Sequence, residues 1–133
     1  MSDKKPVLIL GVGNLLLKDE GVGVHVAQRM MAMDLPPDVE VMDGATEGYN
    51  LLDCIDGREK VVIVDTVKGG HAPGTVYRMT DDDIEDQPKP RLSLVVFGIE
   101  PKDMESVDLE LSPEIEKQVP KVIELVLKEI GES

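Results

Sequence analysis

The apolar run Val7-Leu8-Ile9-Leu10 stops abruptly at Gly11-Val12-Gly13. A short aliphatic run ending in Gly-x-Gly reads as a strand meeting a tight turn, where backbone passes close to a neighbour. The residues that follow restrict what that neighbour is. A phosphate-binding loop would continue to Gly-Lys-Ser/Thr, and a dinucleotide fold would place a third glycine at the start of a helix. Here Leu16 stands at that third position, and the loop delivers the acid pair Asp19-Glu20 before Gly21-Val22-Gly23. Carboxylates near the start of a helix suit its dipole but repel phosphate. The loop suits a cation or a polar substrate rather than a nucleotide.

A chain of 133 residues reads as one domain, residues 1–133, long enough for a sheet with helices on both faces. The formal charge of −13, from 27 acids against 14 bases, argues against nucleic acid as a partner. It is compatible with a basic protein or a metal cation, and surface solubility accounts for much of the excess. One cysteine, Cys54, forms no intrachain disulfide and sits in an apolar stretch, as a buried structural thiol does. The start Met1-Ser2-Asp3-Lys4-Lys5 leads into an apolar run too short for a secretory signal, and no run approaches membrane-spanning length. A cytoplasmic location is expected. With no Trp, one Phe and two Tyr, there is no platform for stacking bases, and the core must be aliphatic.

The pattern along the chain alternates strands and helices. Val7–Leu10 reads as a strand covered on both faces. A helix is expected from Gly21 to Met33, with Val22, Val26, Met30 and Met33 on its buried stripe, ended by Leu35-Pro36-Pro37. Val39–Asp43 alternates as a strand, Thr46–Ile55 reads as a short helix, and Lys60–Asp65 is the strongest strand pattern. After the turn Lys68–Gly74, Thr75–Met79 is expected as an antiparallel edge strand, and Leu94–Glu100 as the last strand. Acids cluster in the polar segment Thr80–Arg91, and Pro101–Leu111 reads as loop. Ser112 is placed as the cap of a final helix with Pro113 at its first position and an apolar face of Val119, Val122, Ile123, Val126, Leu127 and Ile130. The expected architecture is a three-layer α/β sandwich with a mainly parallel sheet and one antiparallel edge strand.

In such a fold the C-terminal ends of the strands share one edge, outside which ligands bind. Asp19, Glu20, Asp43, Asp65 and Glu100 all fall there. Glu20 and Asp65 on neighbouring central elements are suited to hold a divalent cation or to share a proton, with Asp43 close by. Each has a plainer reading: Asp65 as a turn cap, Glu20 as a first-turn helix acid, and Asp19 as a cap rather than a ligand. Gly44, Gly48 and Gly69-Gly70 read as turn residues that also admit an approaching peptide backbone. His25 reads as a packing or surface residue and His71 as a solvated turn residue. No Ser-His-Asp, Cys-His or His-Glu-x-x-His arrangement is present.

Taken together, Gly11-Val12-Gly13-Asn14, Asp19-Glu20-Gly21-Val22-Gly23, Asp43-Gly44-Ala45-Thr46-Glu47-Gly48, Ile63-Val64-Asp65 and Gly98-Ile99-Glu100-Pro101 resemble the hydrogenase maturation endopeptidases in order and context over nearly the whole chain. The resemblance implies an α/β sandwich around a five-stranded sheet. It implies an endopeptidase that removes a C-terminal peptide from the large-subunit precursor of a nickel–iron hydrogenase after nickel insertion. Nickel in the substrate would be recognised by Glu20 and Asp65, with another divalent cation as an alternative, and Gly13, Asn14, Asp43, Gly44, Thr46 and Gly48 would contact the substrate. The expected partner is that precursor, with no nucleic acid and no membrane involved.

One part of the family pattern is missing. The family's third ligand is a histidine opening a helix between the fourth and fifth strands. Here Arg91-Leu92-Ser93-Leu94 runs straight into Val95-Val96-Phe97-Gly98 with no histidine. Hard carboxylate oxygens alone favour Mg²⁺ or Ca²⁺ over Ni²⁺. The shortening is also expected to uncover part of one sheet face, exposing Leu92 and Leu94 to self-association, since a parallel crossover normally uses a helix. Two readings follow: a working protease in which His71 or a partner replaces the ligand, or a non-cleaving form that binds the precursor or a cation.

Overall fold

The computed structural model describes residues 4–44, 51–80 and 92–131, with Leu51 and Leu52 by their backbone alone. Five strands, β1 (Val7–Gly11), β2 (Val39–Asp43), β3 (Lys60–Thr66), β4 (Val76–Thr80) and β5 (Ser93–Ile99), form one sheet in the order β2-β1-β3-β5-β4. β2, β1, β3 and β5 are parallel, and β4 runs antiparallel at the edge beside β5. The sheet therefore has the architecture expected from the alternation of buried aliphatic runs and helical stripes. α1 (Val22–Met31), preceded by a 3₁₀ turn at Lys18–Gly21, packs on one face together with α3 (Pro113–Glu116) and α4 (Val119–Glu129). α2 (Leu51–Ile55) belongs to the opposite side, where Cys54 is buried against Leu8, Leu10 and Val61. Among the described residues, no helix is long and apolar enough to cross a membrane.

The larger core joins Ile9, Val62, Val64, Val95, Phe97 and Ile99 of the sheet to Val22, Val26 and Met30 of α1 and to Ile115, Val119, Val122 and Val126 of α3 and α4. Phe97, the one phenylalanine, is 1% exposed, a burial worth about 1.5–3 kcal/mol. α1 stops at Met31, two residues short of the expected end, and Met33 is exposed rather than part of the stripe.

The final helix is two helices. Pro120 stands at the start of α4; its ring would clash with the carbonyl of residue 116, so a continuous helix across Lys117-Gln118 is disfavoured. Ser112 occupies the N-terminal position of α3, but its hydroxyl makes no capping bond there and is used elsewhere.

The expectation that the shortened segment is a parallel crossover is corrected, while its covering of the sheet face falls on residues 81–91, outside the described residues. β4 and β5 are antiparallel neighbours, and such a pair needs no crossover helix. Leu92 and Leu94 are half-buried against the smaller core rather than exposed.

Candidate functional site

The loop after β1 is built around its glycines. Gly13 has φ +148°, and a Cβ there would lie 2.0 Å from the Glu20 carbonyl oxygen. The loop folds back on itself at this point, with the Asn14 amide donating to the Glu20 carbonyl at 3.2 Å. The Asn14 side-chain oxygen accepts from the Leu16 amide at 2.9 Å, closing an Asx turn. Gly13 and Asn14, expected to contact substrate, are thus engaged in shaping the loop that presents Glu20. Lys18, with φ +44°, takes the left-handed conformation that side chains disfavour. Its amide donates to the Asp108 carbonyl at 3.0 Å and its ammonium pairs with the Asp108 carboxylate at 3.1 Å, which holds that conformation.

The five acids expected at the strand ends have separate roles. Asp19 is fully buried, and its carboxylate accepts from the amides of Lys102 (3.0 Å), Asp103 (2.8 Å) and Ser112 (2.7 Å) and from the Ser112 hydroxyl (2.8 Å). It is neither a helix cap nor an open ligand; it clasps the Pro101–Leu111 loop to the loop after β1. Glu100 is also buried. One of its oxygens accepts from the Gly69 amide (2.8 Å), the His71 amide (3.2 Å) and the Tyr77 hydroxyl (2.5 Å). The Tyr77 bond, ahead of those from the amides, holds the Glu100 carboxyl below its ordinary range.

Glu20 and Asp65 remain as the half-buried pair. Burial foremost, and the charge of Glu20 as well, push the Asp65 carboxyl above its ordinary value, against the opposing bond from the Thr66 amide at 2.7 Å. The charge of Glu20 thus acts on Asp65, and two half-buried carboxylates at a strand-end edge are chemically suited to a cation or a shared proton. Asp43 stands level with Gly11, on the far side of β1 from Asp65, which lies on β3. At the usual strand spacing the two are separated by roughly 10 Å. Among the described residues, no three His, Cys, Asp or Glu side chains are grouped to hold a metal ion, so Asp43 does not complete the pair. The Gly44 amide donates to the Gly11 carbonyl at 2.8 Å, while Thr46 and Gly48 lie outside the described residues.

Neither histidine joins Glu20 and Asp65 in such a group. The Nε2 of His25 bonds the Leu109 carbonyl at 3.1 Å, consistent with a packing role. The Nδ1 of His71 lies 3.0 Å from the Tyr77 hydroxyl. Because the single Tyr77 proton goes to Glu100, its oxygen accepts from His71 Nδ1–H. Sequence reading missed the Tyr77–Glu100 and Asp19–Ser112 bonds. They join residues 23 and 93 positions apart, and no local spacing signals them.

The family model for hydrogenase maturation proteases matches residues 24–94. A Methanocaldococcus jannaschii relative assigned to the hydrogenase maturation proteases is 33% identical, over 96% of this chain and 97% of its own length. That alignment runs over 150 positions, more than the 133 residues here, so the relative carries segments this chain lacks. The hydrogenase maturating endopeptidase HybD of Escherichia coli superposes with a TM-score of 0.80 at 29% identity, covering 94% of this chain and 93% of that one. The hydrogenase 2 maturation peptidase of a Thaumarchaeota archaeon superposes with a TM-score of 0.83 at 26% identity, covering 97% and 100%. On these matches, which span the sheet, the loop after β1 and the Asp65 strand, the chain belongs to the hydrogenase maturation protease family.

Proposed function

We propose that this protein is an endopeptidase of the cytoplasm that removes the C-terminal peptide of a nickel–iron hydrogenase large-subunit precursor after nickel insertion. The observation that carries the reading is the Glu20–Asp65 pair: two half-buried carboxylates, electrostatically coupled, at the ligand-binding edge of a maturation protease fold. Nickel enters as part of the substrate. Both carboxylates recognise it, which orients the neighbouring peptide bond and relieves the repulsion between them. A water attacks the scissile carbonyl, Glu20 or Asp65 accepts its proton, and the C–N bond breaks as that proton passes to the leaving amine.

The reading is tested by incubating the purified chain with nickel-loaded precursor and following intact mass. Loss of the C-terminal peptide is expected, and Asp65→Ala should abolish it. Full processing by that variant would remove Asp65 from the site. An intact precursor, when a longer family member cleaves it in parallel, would overturn the endopeptidase reading in favour of a binding domain that does not cleave.

A further inference from the structure

At the strand-end edge where β3 and β5 finish lies an open cleft of about 760 Å³, between the Lys68–Gly70 loop after β3 and the Pro101–Ser106 loop after β5. Its size falls within the range of ligand-binding clefts. Both walls lead directly to the acid pair. One begins three residues past Asp65 on the same chain segment. The other is bonded through the Lys102 and Asp103 amides to Asp19, the neighbour of Glu20.

Both walls are also fixed in advance. Glu100 holds the first through the Gly69 and His71 amides, and a Cβ on Gly69 would meet the Tyr77 hydroxyl at 2.5 Å. Asp103 tightens the second by accepting from the Glu105 and Ser106 amides, each at 2.9 Å, and from the Ser106 hydroxyl at 2.6 Å. A preformed cleft spares a ligand the entropy of ordering its walls.

The charges lining the cleft are mostly committed. Lys102 pairs with Glu114 at 2.6 Å, and Asp103 and Glu100 are satisfied as described. Among the described lining residues, the Lys68 ammonium is the uncommitted cation, on the wall continuous with Asp65; the uncommitted Glu105 carboxylate sits on the opposite loop. Met104 adds apolar surface to the lining.

We propose that this cleft seats an extended stretch of the substrate polypeptide flanking the scissile bond, with a substrate carboxylate on Lys68. The proposal rests on the endopeptidase reading and names where the peptide runs once its metal is held. Glu105 opposes an acidic peptide and Lys68 attracts one, so the two residues affect binding with opposite signs.

The test uses Lys68→Glu and Glu105→Lys in the full chain, with nickel-loaded precursor as substrate and thermal melting as a fold control. Neither side chain has a partner to lose among the described residues, so both variants should melt like the parent. Lys68→Glu should raise KM roughly fivefold with kcat little changed, and Glu105→Lys should lower KM. Unchanged KM in both variants, with the precursor still cleaved, would overturn the cleft and leave the endopeptidase reading standing. A parent chain that neither binds nor cleaves the precursor would overturn that reading, and the cleft assignment with it.

Discussion

Ser112 meets the Asp19 carboxylate twice, through its amide at 2.7 Å and its hydroxyl at 2.8 Å, although 93 residues separate them. With the Lys102 and Asp103 amides, this makes Asp19 the single buried acceptor on which the Glu20 loop, the loop after β5 and the start of α3 all close. Asp19→Ala would leave the buried Ser112 amide and hydroxyl and the part-buried Lys102 and Asp103 amides without their acceptor. The expected loss is about 2–4 kcal/mol in urea unfolding. A loss near zero would show that the clasp does not hold the loop.

Asp65→Asn separates stability from function. The amide oxygen still accepts from Thr66, while the charge that burial and Glu20 disfavour is gone. A carboxyl raised in the folded state binds more protons there than in the unfolded chain, so stability falls as pH rises from 3.8 through the folded value. The variant should therefore be more stable at neutral pH, by roughly 0.5 kcal/mol or less given the solvent screening of a half-exposed group. That gain should vanish below pH 3.8 while precursor processing is lost at neutral pH. Melting temperatures at two pH values and intact-mass processing check both arms; destabilisation at neutral pH would contradict the repulsion.

Gly23 tests the helix–sheet contact. A Cβ at that position would sit 2.2 Å from the Val64 carbonyl oxygen and 2.4 Å from that of Val12. These are backbone atoms of the strand that carries Asp65 and of the loop that carries Glu20, and backbone cannot swing aside as a side chain does. Gly23→Ala should cost about 3 kcal/mol by overpacking and reduce processing together with stability. Wild-type stability in this variant would mean that α1 has room to withdraw.

Asp103 predicts an acid limit for the cleft wall. The Ser106 hydroxyl foremost, then the Ser106 and Glu105 amides, lower its carboxyl from 3.8 to about 2. A depressed carboxyl stabilises the fold fully above its unfolded value and loses that contribution as pH falls through its folded one. Amide exchange at Glu105 and Ser106, measured against the intrinsic rate at each pH, should stay slow above pH 3.8 and quicken toward pH 2. In Asp103→Ala it should be fast throughout, and slow exchange there would mean that the turn closes without its carboxylate.

The sheet was legible because β1, β3 and β5 are unbroken aliphatic runs, which are stable only when covered on both sides, and because the glycine turn before β4 marked an edge strand. The division of the last helix was legible in principle from Pro120, yet its apolar stripe continues in phase across the break and masks it. The order of the strand-end acids was likewise readable, since sheet topology sends them to one edge.

What sequence alone determined is the fold class and the edge where chemistry gathers, because hydrophobic periodicity and glycine turns act over a few neighbouring residues. Tertiary structure decided which acids are available there. Asp19 and Glu100 are consumed by donors 83 to 93 and 23 to 31 positions away, whereas Asp65 accepts from the adjacent Thr66 amide and, like Glu20, stays half-buried outside those clasps. A carboxylate becomes a clasp or a ligand according to the donors that reach it, and those donors arrive only when distant segments of the chain have packed.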